Sequence, residues 1–311
     1  MLISASYKTD IPAFYGEWFI NRLRAGYCLM VHPYDRRRVF RVSLSKEDVD
    51  GIVFWTKNLG PFLHCLSEVA ERGFPFVVQY TINSYPRKLE FSVTDPVRSL
   101  RHVERVASQF GPNIIVWRYD PVIFSSKTPP DLHIENFTWL ASRLSGMTDE
   151  VVISFAQIYK KTKRNMDWAA REFDFTWQDP DDDAKRDLAR ELLKIARRNR
   201  MRLTLCSQPY LLDEEIEEAH CIDAQRFSRL IGAPLKAELR GARKECGCYA
   251  SRDIGEYDTC PHGCVYCYAV LNRKLSQKRY KAHDPNGEFL FMPTGKLPDP
   301  FEEDGLLFPK G

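Results

Sequence analysis

Nine cysteines stand in the chain, and five of them fall within 22 residues, from Cys246 to Cys267. They form two groups: a Cys-x-Cys pair, Cys246 and Cys248, and a Cys-x3-Cys-x2-Cys run, Cys260, Cys264 and Cys267. In a reducing compartment, clustered cysteines serve as metal ligands or reactive thiols rather than as disulfides. Thiolates are the usual ligands of iron–sulfur clusters. Three of them at this spacing can wrap one short loop around a [4Fe–4S] cubane and reach three different irons. Gly263 lets the loop bend where a side chain would collide, and Pro261 stiffens its start. The fourth iron is then left without a cysteine from the loop, and an open metal position is where substrate or cofactor binds.

Cys246 and Cys248 leave alternatives open. If either takes the fourth iron, the site is closed and belongs to an electron carrier or a structural module. If neither does, the pair binds a second metal, forms a redox couple or positions substrate. Zinc is the rival metal, with His262 inside the loop as a further ligand or simply a surface residue. Cys28, Cys65, Cys206 and Cys221 are scattered, and read as small buried apolar fillers.

The elements that must position this loop are legible in the first two thirds of the chain. Strands are predicted at residues 2–7, 51–55, 76–82, 114–119, 151–155 and 202–206. Helical periodicity marks 13–24, 61–72, 96–110, 134–144, 184–198 and 223–231. Strands alternating with helices imply an α/β fold with a parallel sheet. Six such units in about 230 residues suit a partial or complete (β/α) barrel, TIM-like, with a doubly wound sheet as the alternative. The expected organisation is a barrel-like domain over 1–240, a cysteine-rich cluster-binding segment over 241–283 and an extended tail over 284–311. Segment 27–43 reads as a strand or hairpin arm, 85–94 as an insertion, 165–183 as a long acidic loop and 268–275 as a short helix.

Ligands in parallel α/β folds sit beyond the carboxyl ends of the strands. Arg118, Asp120 and Lys57 stand there and are the catalytic candidates, since charges beside apolar strands need partners. An Arg118–Asp120 structural pair is the plain alternative. Gln79 is a candidate for contact with a cofactor.

The chain has 311 residues, 44% of them apolar, and 45 Lys and Arg against 42 Asp and Glu. A net charge of +3 neither implies nor excludes a nucleic-acid partner. The run Lys160-Lys161-Thr162-Lys163-Arg164 reads as a basic patch for an anionic or nucleic-acid substrate, and Arg36-Arg37-Arg38 as a solvated turn. The basic stretch from Arg273 to Lys281 is explained equally by helix solvation. No run of about 18 apolar residues suggests a membrane span, and the N-terminus lacks the features of a signal peptide. The expectation is a cytoplasmic protein with no membrane partner.

The motif Cys260-x3-Cys264-Val265-Tyr266-Cys267 resembles that of the radical S-adenosylmethionine (SAM) enzymes, with Tyr266 as the aromatic residue before the last cysteine. The resemblance implies a [4Fe–4S] cluster on Cys260, Cys264 and Cys267, with SAM chelated at the open iron and Tyr266 near its adenine. It further implies reductive cleavage to a 5′-deoxyadenosyl radical, fed by a protein such as a ferredoxin or flavodoxin. The run Cys264-Val265-Tyr266-Cys267-Tyr268-Ala269 also looks like the spore photoproduct lyase branch, which implies nucleic-acid lesion repair. Those enzymes carry the motif near the start of the barrel, whereas here it follows about 245 residues of β/α pattern. The combination of Cys246-Gly247-Cys248, Asp253-Ile254-Gly255 and the cysteine run resembles an uncharacterised family, a domain of unknown function with a radical-SAM-like cluster at its C-terminus. A permuted barrel would let that C-terminal loop lie against the first strand.

Overall fold

A computed structural model of the protein describes residues 1–32, 38–241, 245–292 and 302–303. Arg36, Arg37 and most of the expected tail lie outside the described residues. In chain order the strands are β1 (Leu2–Ala5), β2 (Tyr27–Val31), β3 (Val39–Ser43), β4 (Gly51–Thr56), β5 (Phe76–Thr81), β6 (Ile115–Val122), β7 (Phe124–Ser125), β8 (Glu150–Phe155), β9 (Trp177–Gln178), β10 (Arg202–Leu205), β11 (Glu217–Glu218) and β12 (Ser251–Asp253). The helices are α1 (Ile11–Phe14), α2 (Gly16–Ala25), α3 (Leu63–Glu71), α4 (Pro96–Phe110), α5 (Pro130–Leu144), α6 (Lys160–Phe173), α7 (Asp182–Arg198), α8 (Ala224–Ile231) and α9 (Arg273–Lys281).

Eight strands form one sheet in the order β11-β10-β8-β6-β5-β4-β1-β12, and each neighbouring pair is parallel. Alternate residues point to opposite faces, and both faces are apolar. Ile3, Ile52, Val78, Trp117 and Ile153 face the helical layer, where Trp18, Leu66, Val103, Phe137 and Leu192 meet them. Leu2, Val53, Val77, Val116 and Val152 face the other way, under Ala224 and Phe227 of α8 and the chain on either side of it. Burial on both faces is what makes these strands continuous apolar runs.

Of the expected partial or complete barrel, the complete one is not formed: the sheet is open, with β11 and β12 at its edges. These strands are two and three residues long. The segment around α8 instead covers the second face. Gln79 Nε2 donates to the Cys221 carbonyl at 2.9 Å, and the Tyr249 N–H donates to the Ile222 carbonyl at 3.0 Å.

All six expected strands and most of the helices are present within a few residues. Segment 27–43 contains the antiparallel hairpin β2–β3. Two expectations fail. Residues 165–183 are not one long loop, because α6 runs through to Phe173, with Thr162, Met166 and Ala169 buried along one face. The helix expected at 268–275 starts later, as α9, where the Asn272 side chain accepts from the Leu275 N–H and caps it.

Candidate functional site

The cysteine loop leaves β12, which pairs in parallel with β1, Leu2 opposite Ser251 and Ser4 opposite Asp253. It therefore starts at the carboxyl end of the sheet, beside the first strand. Asp253 is the anchor. Its carboxylate accepts from Ser4 Oγ and Ser6 Oγ, both at 2.7 Å, and from the Tyr7 and Gly255 N–H groups, both at 3.0 Å. Lys8 Nζ lies 3.4 Å away. Gly255 fits because a Cβ there would come within 2.0 Å of Ser6 Oγ. Tyr15 OH donates to the Thr259 carbonyl at 2.6 Å, fixing the backbone just before Cys260. Gly263 has φ +75° and packs against Arg273 and Phe91, as the bend in the motif requires.

His262 is not a surface residue. It is buried, with Nε2 2.7 Å from Asp10 Oδ2 and Nδ1 3.3 Å from the Ser92 carbonyl. Both ring nitrogens are occupied, so it serves as a brace rather than as a spare ligand. Asp10 also accepts from the Lys57 and Ala13 N–H groups, tying the loop to β4 and α1.

The other wall is segment 85–94. Glu90 pairs with Cys264 in a short antiparallel bridge, and the Val265 N–H donates to the Leu89 carbonyl at 3.1 Å. The buried Glu90 carboxylate lies 2.8 Å from Lys57 Nζ and accepts from Tyr266 OH. Asn83 Nδ2 is 3.4 Å from both Glu90 and Tyr266 OH. Burial opposes the Lys57 charge, but Glu90, Cys264 and Asp120 outweigh it and raise the pKa of the ammonium. Asn83 and Glu90 also line a cavity of about 240 Å³, walled by Thr81, Tyr85, Arg87 and Asp95.

Arg118 and Asp120 do form a pair, with Nη2 to Oδ2 at 2.7 Å and Nε to Oδ2 at 3.1 Å. Ser154 Oγ donates to the other Asp120 oxygen. Burial alone would raise the Asp120 carboxyl, and Arg118 with Ser154 lowers it instead. Arg118 Nη1 continues to Gln79 Oε1 at 3.2 Å and to Cys221 Sγ at 2.9 Å. Gln79 is thus engaged at both ends of its amide.

The three thiols of the loop are half-buried and close enough to influence one another's ionisation. Burial, then Asp10 and the other two thiols, pushes Cys260 well up; burial also raises Cys264 and Cys267, against the pull of Lys57. Among the described residues, no three His, Cys, Asp or Glu side chains converge as they would on a single metal ion.

Cys246 and Cys248 are not brought to this loop. They pack on the second face of the sheet with Cys206 and Cys221, and Cys221 Sγ lies 3.5 Å from Cys206 Sγ. Cys28, on β2, and Cys65, on α3, are core residues, as expected. Cys206 and Cys221 are buried in the apolar cluster of the second face, as expected, and in addition lie 3.5 Å apart, with Cys221 against Arg118. Asn83 stands at the carboxyl end of the third core strand, where polar residues are candidates for ligand contact; sequence reasoning missed Glu90, Asp10 and Ser154, which are single polar residues with no spacing signal. Asp253 stood in the Asp-Ile-Gly motif but was given no role. The basic run 160–164 opens α6, and much of it is engaged: Lys163 pairs with Asp167 at 2.7 Å, Arg164 donates to the Leu271 carbonyl, and Lys161 lies near Cys267 and the Tyr257 ring.

A family model described as a domain of unknown function (DUF1848) matches residues 2–269, nearly all of the chain. No curated protein and no solved structure matches it.

Proposed function

The chain belongs to the DUF1848 family, and on that premise we propose that it is an iron–sulfur enzyme of the radical SAM type, with Cys260, Cys264 and Cys267 as the ligands of a [4Fe–4S] cluster. The observation that carries this reading is the placement of one three-cysteine loop at the carboxyl end of a parallel sheet, apart from the chain's other six cysteines. The donor set fits. Three thiols supply three ligands, and a cubane meets each through a separate iron, so they need not converge on one point. Lys57 and Lys161 are the cations that offset their charge. Burial keeps the free thiols protonated, so loading releases protons and weakens as pH falls. Held by Cys260, Cys264 and Cys267, such a cluster would supply the electron for reductive cleavage of SAM.

The chain's own residues hold the surroundings rigid. Glu90 fixes Tyr266 and Lys57, while Arg118 and Asp120 present a paired charge beside them. We read the sheet as a partial (β/α) barrel whose C-terminal loop sits where a permuted first loop would. A ferredoxin or flavodoxin as reductant, and an anionic substrate met by Lys57, Arg118 and Lys161, belong to the same proposal.

The test is electron paramagnetic resonance of anaerobically reconstituted, reduced protein, with and without SAM. A cubane signal that changes with SAM is expected, together with loss of iron in Cys260→Ala, Cys264→Ala and Cys267→Ala. A signal indifferent to SAM removes the enzyme reading. Stoichiometric zinc without a signal, or normal iron in all three variants, overturns the site.

A further inference from the structure

On the second face of the sheet, four cysteines from three separate stretches of chain meet. Cys206 follows β10, Cys221 follows β11, and Cys246 and Cys248 precede β12. Cys221 Sγ is 3.5 Å from Cys206 Sγ. Cys248 lies in the same packed cluster, with the partly buried Cys246 against it. The Ile222 N–H donates to Cys248 Sγ at 3.5 Å. The four cysteines therefore share one cluster, with the Cys206 and Cys221 sulfurs closest together. Its inner three members are buried, and Cys246 alone is partly exposed. Arg118 Nη1 rests 2.9 Å from Cys221 Sγ, and the same guanidinium holds Asp120.

We propose that Cys206, Cys221, Cys246 and Cys248 form a second, redox-active thiol site that exchanges with the disulfide of a small thiol. The outer thiol is the point of attack and the inner thiols resolve it. Cys246 sulfur attacks one sulfur of the small disulfide, whose S–S bond breaks and releases one small thiolate. Cys248 sulfur then attacks Cys246 sulfur and expels the second small thiolate. Exchange within the cluster, Cys221 sulfur attacking Cys248 sulfur and Cys206 sulfur then attacking Cys221 sulfur, moves the bond to Cys206–Cys221 and restores Cys246 and Cys248 as thiols. In sum, two protein thiols are oxidised, their protons leave with the two small thiolates, and one small disulfide is reduced to two thiols. The site stands independently of the cluster reading, since none of its cysteines belongs to the 260–267 loop.

The experiment incubates the full chain, reduced beforehand, in anaerobic buffers of reduced and oxidised glutathione. Acid quench, alkylation and peptide mass mapping follow. The expected product is a Cys206–Cys221 disulfide, with its formation slowed about tenfold or more in Cys246→Ser, where the accessible attacking thiol is lost. Cys206→Ser should stop the exchange one step short, leaving a Cys221–Cys248 link or a glutathione adduct. Because a buried substitution can unfold the chain, the urea midpoint of each variant is measured alongside, and the half-exposed Cys246→Ser carries the comparison. A glutathione adduct on Cys246 with no internal disulfide would overturn the proposal. So would four thiols that stay reduced in the most oxidising buffer, or thiols that react only after a chelator has removed a bound metal.

Discussion

Replacing Asp253 tests whether the cysteine loop is held by the first strand. Its carboxylate accepts four hydrogen bonds between 2.7 and 3.0 Å and lies 3.4 Å from Lys8. Each bond to a charged acceptor contributes roughly 1.5–3 kcal/mol net, and each buried donor left without one costs about 1–3 kcal/mol. Four such losses do not add fully, because the two serine hydroxyls can rotate toward other acceptors, whereas the Tyr7 and Gly255 N–H groups cannot. Breaking a buried charged pair by removing one partner costs about 3–5 kcal/mol, and Asp253→Ala should fall in that range. That would be a large part of the roughly 5–15 kcal/mol that holds a domain together. Asp253→Asn keeps one acceptor but turns an NH2 group toward two donors, and should cost about 2 kcal/mol. Urea unfolding measures the totals, as a fall in midpoint at unchanged slope. Hydrogen exchange adds the local readout: the Tyr7 and Gly255 amides and the amides of the 254–267 loop should exchange faster, while those of β5 and β6 move only with global stability. A loss under about 1 kcal/mol in Asp253→Ala, or unchanged exchange in the loop, would refute the anchoring role.

Two further outcomes follow from buried charges elsewhere. His133 is buried between Tyr119 OH at 2.9 Å and the Ile123 carbonyl at 3.0 Å, and burial lowers its pKa from 6.5 to about 4. The unfolded chain therefore binds the extra proton first, so stability is complete above about 6.5 and declines as pH falls toward 4, by about 3 kcal/mol in the limit. Urea titrations across that window should show the slope, and His133→Gln should flatten it. Arg226 reaches Asp149 at 2.8 Å and Glu150 at 2.6 Å, locking α8 to β8. Arg226→Ala should cost about 3–5 kcal/mol because it leaves Glu150 buried without its main partner, and a loss below 1 kcal/mol in chemical denaturation would refute this.

The fold was legible wherever one rule governed a whole segment. Strands apolar on both faces, such as 51–55 and 151–155, announced a parallel sheet, and α4 was found with the bounds it has. The misses came where two signals conflicted. Thr162, Met166, Ala169 and Phe173 recur at helical spacing and carry α6, but the acidic, aromatic composition around them suggested a loop. Closure of the barrel could not be read, because edge strands of two and three residues leave no periodic trace. β12 is such a strand, and it is the one that delivers the cysteine loop.

The site divides along the same line. Cysteine spacing names a local loop, since the residues that must reach one cluster lie within eight positions of one another. The supports of that loop come from residues about 170–250 positions away: Asp10, Ser4, Ser6, Glu90 and Ser92. Their pairing follows from the parallel register of β12 on β1 and from the bridge between Glu90 and Cys264, neither of which is encoded in any short spacing. The same reasoning explains Cys206 and Cys221. Each is a lone apolar-looking cysteine in sequence, and they meet only because the chain after β11 lies across the sheet and sets Cys221 beside Cys206 and Arg118. A spacing rule finds ligands that a loop brings together by itself, and it is blind to those that the sheet brings together.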